Sequence, residues 1–291
     1  MKKITLLFAF IAVSFLTFSC SSDSSSDGPS QTGSTFTLNY NGTNIPINQI
    51  TATKSENKLY VYGVAVDGQA FGIFFNKFGD LGWADSYSVE SFDFIDQKSH
   101  YNFGSNFFNF QMVSLDEVNK RVKVNYSGRV YTDENDILSE YSEVSGTFDV
   151  VYIDVVPQIP GMGVSAKIAG SDWYETQIGY MNQFGSDYAE NHHINDSAYK
   201  LVIVLNPSAI SEGSFTFNSA SDVNRVQLAK FNPDTMEYTF YNTVGNFNMT
   251  DISDVGNFDV HTGSFSFTAT NPTNSADVIQ VTDGYFKTVH L

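Results

Sequence analysis

Cysteine is all but missing from this chain: its 291 residues hold one, Cys20. A lone thiol excludes a disulfide framework within the chain and a thiolate metal cage, so any core must be held by packing. Tryptophan is scarce too, with only Trp83 and Trp173. Basic residues number 15 against 32 acidic ones, a formal charge of −17 at pH 7. A surface this acidic is repelled by phosphate backbones and anionic headgroups, which argues against nucleic acid and against direct docking on a lipid surface. The sequence also lacks a Gly-x-Ser-x-Gly elbow, a His-Glu-x-x-His pair and a phosphate-cradling Gly-x-x-x-x-Gly-Lys, so the common nucleophile, zinc and nucleotide chemistries have no motif to stand on. The first half shows no sustained apolar pattern of period 3.6, which predicts few and short helices.

What the chain has is aromatic residues, 26 Phe and 16 Tyr, alternating with polar ones in short runs separated by turn residues. Phe36, Leu38 and Tyr40 lead into Asn41-Gly42, and Lys58 to Val66 and Ala70 to Asn76 flank Asp67-Gly68; both patterns read as hairpins. The class expected is all-β: two tandem antiparallel β-domains, each a sandwich or a partly open barrel, behind a leader and a flexible tether. Residues 36–156 form the first, 157–163 a Pro/Gly linker around Pro157, Pro160, Gly161 and Gly163, and 164–291 the second. Several markers recur in the same order on both sides of the linker. Phe36 and Val164 stand equally far before Gly42 and Gly170, Ser86-Tyr87-Ser88-Val89 answers Ser214-Phe215-Thr216-Phe217, and Gly146-Thr147-Phe148 answers Gly284-Tyr285-Phe286. A tandem duplication is the reading that explains them.

At the start, Lys2 and Lys3 precede an uncharged, mostly apolar run from Ile4 to Phe18, too short for the roughly 20 residues of a membrane span, and the layout is that of a signal peptide. Leu16, Thr17, Phe18, Ser19 and Cys20 resemble the lipobox of bacterial lipoproteins. That resemblance implies removal of residues 1–19 and acylation of Cys20; an ordinary leader that happens to contain a cysteine is the alternative. Losing Lys2 and Lys3 would take the formal charge from −17 to −19. Residues 20–35, rich in Ser and Asp, then read as a tether holding the folded part about 20 Å from the bilayer. Asp23 and Asp27 resemble the acidic segment that sends Bacteroidota lipoproteins to the outer face of the outer membrane, with a plain solvated linker as the alternative. Ala166, Gly170, Trp173, Gly213 to Phe217, Gly284 and Phe286 resemble a domain of unknown function common in flavobacterial-type Bacteroidota lipoproteins. The first half departs from that pattern, with Pro46 near the place of the tryptophan. The resemblance implies an all-β, outer-membrane, lipid-anchored protein facing the cell exterior and carries no activity with it.

Candidate chemistry is sparse. His192 and His193, with Asp187, Glu190 and Asp196 nearby, have the types for a divalent metal, although neighbours on a strand point to opposite faces. Asp133, Asn135 and Asp136, followed by Glu140 and Glu143, offer oxygens of the kind calcium takes, without EF-hand spacing; a solvated hairpin tip explains them as well. Trp83 and Trp173 are candidates for a sugar-stacking platform, set against core packing. Asp196-Ser197-Ala198 and Asp234-Thr235-Met236 resemble the acceptor of Bacteroidota O-glycosylation, which marks Ser197 and Thr235. The function expected is a non-catalytic binding or envelope-assembly module, without a cofactor unless calcium, meeting carbohydrate or an envelope protein; a surface hydrolase acting on polysaccharide is the alternative.

Overall fold

The computed structural model describes residues 33–89, 96–184, 188–206, 209–256 and 258–290. The leader, Cys20 and the tether up to residue 32 lie outside the described residues. The protein is all-β, and among the described residues the pairings are antiparallel apart from one two-residue parallel contact. Among the described residues no helix is long and apolar enough to cross a membrane.

The first half opens with β1 (Thr35–Tyr40) and β2 (Thr43–Ile45), and β3 (Ile47–Ser55), β4 (Lys58–Ala65), β5 (Gln69–Asn76) and β6 (Leu81–Ser88) form a meander behind them. A short β7 (Gln97–Lys98) and a helical turn, Gly104–Phe107, lead to a second meander of β8 (Phe108–Asp116), β9 (Arg121–Tyr131) and β10 (Tyr141–Val151). These strands make one sheet of 11, in which β7 joins β6 to β9 and β10 pairs with β1. At the far edge β11 (Ile153–Asp154), directly after β10, runs parallel to β3, so the sheet curls back on itself without closing into a barrel.

The second half opens on a hairpin and closes on a three-stranded meander as the first does, with a different course between them. After the strandless passage through Pro157 and Pro160, β12 (Gly163–Ile168) and β13 (Ser171–Tyr174) form the opening hairpin. The first meander is β14 (Gln177–Phe184), β15 (Tyr188–Ile194) and β16 (Tyr199–Leu205), and β17 (Gly213–Asn218), β18 (Arg225–Asn232) and β19 (Glu237–Phe240) follow. A closing meander, β20 (Asn242–Val255), β21 (Phe258–Asn271) and β22 (Asn274–His290), ends on the strand that pairs with β12. Here the layers stay separate, as a six-stranded sheet β13-β12-β22-β21-β20-β17 and a five-stranded sheet β14-β15-β16-β18-β19.

Local chemistry explains the matching starts. Asn41 and Gly42 take φ of 49° and 81°, Ala169 and Gly170 of 52° and 81°, the paired positive values that a two-residue hairpin turn requires and that glycine adopts without strain. One of the expected markers does not correspond: Ser86 to Ser88 lie in β6, beside β5, whereas Ser214 to Phe217 lie in β17, which crosses to β20 in the other sheet.

Each half has a hydrophobic core of its own. The first gathers Phe36, Phe71, Phe75, Tyr126 and Phe148, with the Phe36 and Phe148 rings 5.6 Å apart and those of Phe71 and Tyr126 5.2 Å apart. The second gathers Trp173, Phe217, Phe247, Phe265, Phe267 and Phe286. Rings at these spacings interact favourably beyond the area they bury.

Candidate functional site

The structure separates the two tryptophans. Trp173 is 3% exposed and belongs to the second core, because on β13, opposite Ala166, it takes the inward phase of the strand. It cannot serve as a ligand platform. Trp83 points the other way. On β6 the inward residues are Leu81 and Ala84, with a bulge between Phe74 and Phe75 on β5 adjusting the phase, and Trp83 is half-buried on the outer side with its ring 4.1 Å from Phe74 at 20°.

Around Trp83 the strand register assembles an aromatic face. One row across the sheet reads Thr53, Tyr60, Phe74, Trp83, and the next Thr51, Tyr62, Gly72, Asp85, Lys98. Residues directly opposite across a ladder share a face, so both rows lie on the side away from the core. The Tyr60 and Tyr62 rings are 5.4 Å apart, and Tyr60 and Phe74 6.5 Å. Gly72 is required here: a Cβ would stand 2.6 Å from the Tyr60 hydroxyl and 2.7 Å from Asp85 Oδ1, which converge over it. Burial pushes the Asp85 carboxyl up to about 7 against the pull of Lys98, and burial followed by the Asp85 charge holds the Tyr60 phenol well above its ordinary range. Lys98 also faces Glu134 at 3.6 Å, so the one ammonium in the rows has its charge answered.

A charged seam borders one end of this face, where the two halves meet. Lys58 Nζ lies 2.8 Å from Glu175 Oε1, and His193 Nδ1 lies 2.7 Å from Glu175 Oε2. Burial would raise the Glu175 carboxyl, but the Lys58 charge and then His193 overcome it and hold the group at about 2. Close by, Asp196 Oδ2 accepts the Leu81 amide at 3.1 Å, which brings its carboxyl against that of Asp80; Asn76 Nδ2 donates to Asp80 Oδ2 at 2.7 Å. Burial and then the Asp80 charge push Asp196 up to about 7, and burial raises Asp80 too. Phe78 stacks on Tyr174 at 3.7 Å, and Gln177 donates to the Gly82 carbonyl at 3.1 Å.

Strand geometry keeps the candidate metal ligands apart. His193 faces inward to Glu175, His192 faces outward to Glu190, and Asp196 is engaged with the first half. Among the described residues no three His, Cys, Asp or Glu side chains gather as a metal site, and Asp187 lies outside them. Asp133 and Asp136 bend onto their own turn, with Asp133 Oδ1 accepting the Asn135 amide at 2.9 Å and Asp136 Oδ1 the Leu138 amide at 2.8 Å. Ser197 is half-buried, donating to Asn195 Oδ1 at 2.7 Å and accepting from the Tyr199 amide, so glycosylation there would break both bonds. Thr235 is exposed on the turn between β18 and β19.

Sequence reading missed Tyr60, Tyr62, Phe74 and Asp85. The available signal was β4 itself, Lys58-Leu59-Tyr60-Val61-Tyr62, where aliphatics fill one phase and tyrosines the other, the mark of a strand with two occupied faces. Comparison with family models, with curated proteins and with solved structures found no match to this chain.

Proposed function

We propose that this is an exported lipoprotein, anchored through an acyl group on Cys20 to the outer membrane of a Bacteroidota-type cell and facing outward. Its folded part, in this reading two tandem β-domains, works as a non-catalytic binding or assembly module. The opening hairpin of each half and the pairing of its first strand with a late one, β1 with β10 and β12 with β22, support the duplication. The observation that carries the binding role is the aromatic face on β4, β5 and β6, a half-buried row of large rings on a side of the sheet that the core does not use. Large apolar groups in such a place mark contact surfaces.

The experiment is fractionation of the native host expressing the full chain. Wild type should sediment with the outer membrane and be shaved from intact cells by protease, and Cys20→Ala should be released in soluble form. A membrane-bound Cys20→Ala protein would sink the anchor. One observation favours a second reading, a polysaccharide hydrolase: the Asp80 and Asp196 carboxyls lie against each other and burial raises both, which is the raw material of acid and base catalysis. Reducing ends released from polysaccharide by wild type and not by Asp196→Asn would establish that reading over the first.

A further inference from the structure

We infer that the aromatic face of the first half is a platform for a neutral oligosaccharide, laid across β3 to β7 with Trp83 and Tyr62 beneath its rings and Phe74 stacked against Trp83 as support. This rests on the binding role proposed above and names the ligand class of that same face. The first argument is shape. The row from Thr51 to Lys98 crosses five strands, about 19 Å at the usual strand spacing of about 4.8 Å, so the ligand is extended and lies across the strands.

The second argument is polarity. A sugar ring has an apolar C–H face and a rim of hydroxyls, and stacking on an aromatic ring uses the first while leaving the second free. Here the rings occupy the middle of the face, while the flanks are polar: half-buried Thr51 and Thr53 on β3, and exposed Lys98 on β7. A uniformly apolar partner would leave those flanking groups without hydrogen bonds, at a cost.

Charge is the third. The chain carries −17, and Lys98, the single cation of the row, already faces Asp85 and Glu134. No cationic cluster is left for an acidic polysaccharide, and long-range repulsion opposes one. Asp85 acts as a positioning residue: its Oδ1 is buried over Gly72 beside the Tyr60 hydroxyl, and it braces the face without reaching the ligand.

Because Trp173 is buried in the second core and Trp83 is half-buried on the face, iodide quenching of the full chain in detergent reads Trp83. Gluco-, manno-, xylo- and N-acetylglucosamine hexaoses serve as neutral probes and an oligogalacturonate as the acidic one. At least one neutral hexaose should protect Trp83 from iodide, and Trp83→Ala, checked for its fold by circular dichroism, should weaken that binding at least tenfold while Trp83→Phe retains most of it. Should Trp83→Ala fail to fold, Tyr62→Ala takes its place with the same expectation. Protection by the oligogalacturonate alone, protection by no hexaose at millimolar concentration, or undiminished binding by the folded alanine variant would each overturn the assignment. None of those results touches the fractionation of Cys20→Ala, so the anchored reading stands or falls separately.

Discussion

The two halves open on a hairpin and close on a meander alike, and they dispose of their outer faces differently. In the first, β7 bridges β6 and β9, and one sheet of 11 strands results; in the second, β19, the last strand before the closing meander, pairs with β18 alone, leaving sheets of six and five. The five-stranded sheet then uses its outer side on the first half. Val202, Val204 and Ala229 point away from the second core yet are fully buried, and the same side carries Phe231, whose ring is 6.0 Å from His100, and Tyr238, whose hydroxyl donates to Asn102 at 2.9 Å. The outer side of β4, β5 and β6 keeps its rings half-buried. One half covers its second face within the molecule, and the other retains a face that a ligand can use.

The largest expected effect tests the seam that holds the halves in this arrangement. Glu175→Ala would leave Lys58 without its counter-charge and the buried His193 ring without its hydrogen-bond partner, and removing one partner of a buried ion pair costs about 3–5 kcal/mol. Chemical denaturation should show it; a loss under about 1 kcal/mol would mean the triad contributes no more than an exposed pair does. Next come the tryptophans, the comparison in miniature. Trp173→Ala should cost about 3–5 kcal/mol as a core truncation, and Trp83→Ala about 1 kcal/mol, since it removes a side chain that is only half-buried. Equal losses would break the distinction between a core face and a binding face.

The proton balance of the seam gives a finer test. Asp196 is raised from an ordinary 3.8 to about 7 and Asp80 is raised as well, so the folded chain holds a proton that the unfolded chain has released. That contribution is complete below about pH 4 and is lost as pH rises through about 7. Asp85 acts in the same sense. Burial lowers His100, His192 and His261 from 6.5, which works in the opposite direction by reducing stability as pH falls below that value. The groups that hydrogen-bond to the acid pair, Asn76, the Leu81 amide and the Ser105 hydroxyl on the Asp196 carbonyl, are neutral. The readout is therefore the difference between wild type and Asp196→Asn, which should favour wild type progressively as pH drops from 7 to 4. Parallel profiles would show that the two carboxyls do not share a proton.

Much of the fold could be read from the residues. Alternation through Phe36, Leu38 and Tyr40 gives β1, Asn41-Gly42 gives its turn, and the prolines at 157 and 160 mark the break between the two cores. The candidate site was less legible, because alternation states that a strand has two sides without stating what lies against each. Trp83 and Trp173 both sit in short strands, and only the sheet around them makes one inward and the other outward. Asp80 and Asp196 are joined by the packing of the halves, a contact that no local pattern encodes. Ser86 to Val89 misled for a related reason: its composition matches β17, but its register places it in a hairpin with β5.

The smallest effect concerns calcium, where the first half's acidic turn could still set it apart from the second. Asp133 and Asp136 each give a carboxylate oxygen to a backbone amide two residues on, and the Ser139 hydroxyl donates to the Asp136 carbonyl at 2.8 Å. Asp251 to Asp254 in the second half lie in β20 just past its bulge, paired with β21, with Ser253 donating to Asp251 Oδ2 at 2.9 Å. A cation that takes about 6–8 oxygens would have to break these bonds before it gained its own. Asp136→Ala should therefore cost about 0.5–1.5 kcal/mol, the worth of an ordinary hydrogen bond, and millimolar calcium should leave the melting temperature of wild type where a chelator leaves it. A calcium-dependent rise that disappears in Asp133→Ala would make this turn a ligand site after all and give the first half a second function-bearing surface, opposite in charge logic to its aromatic face.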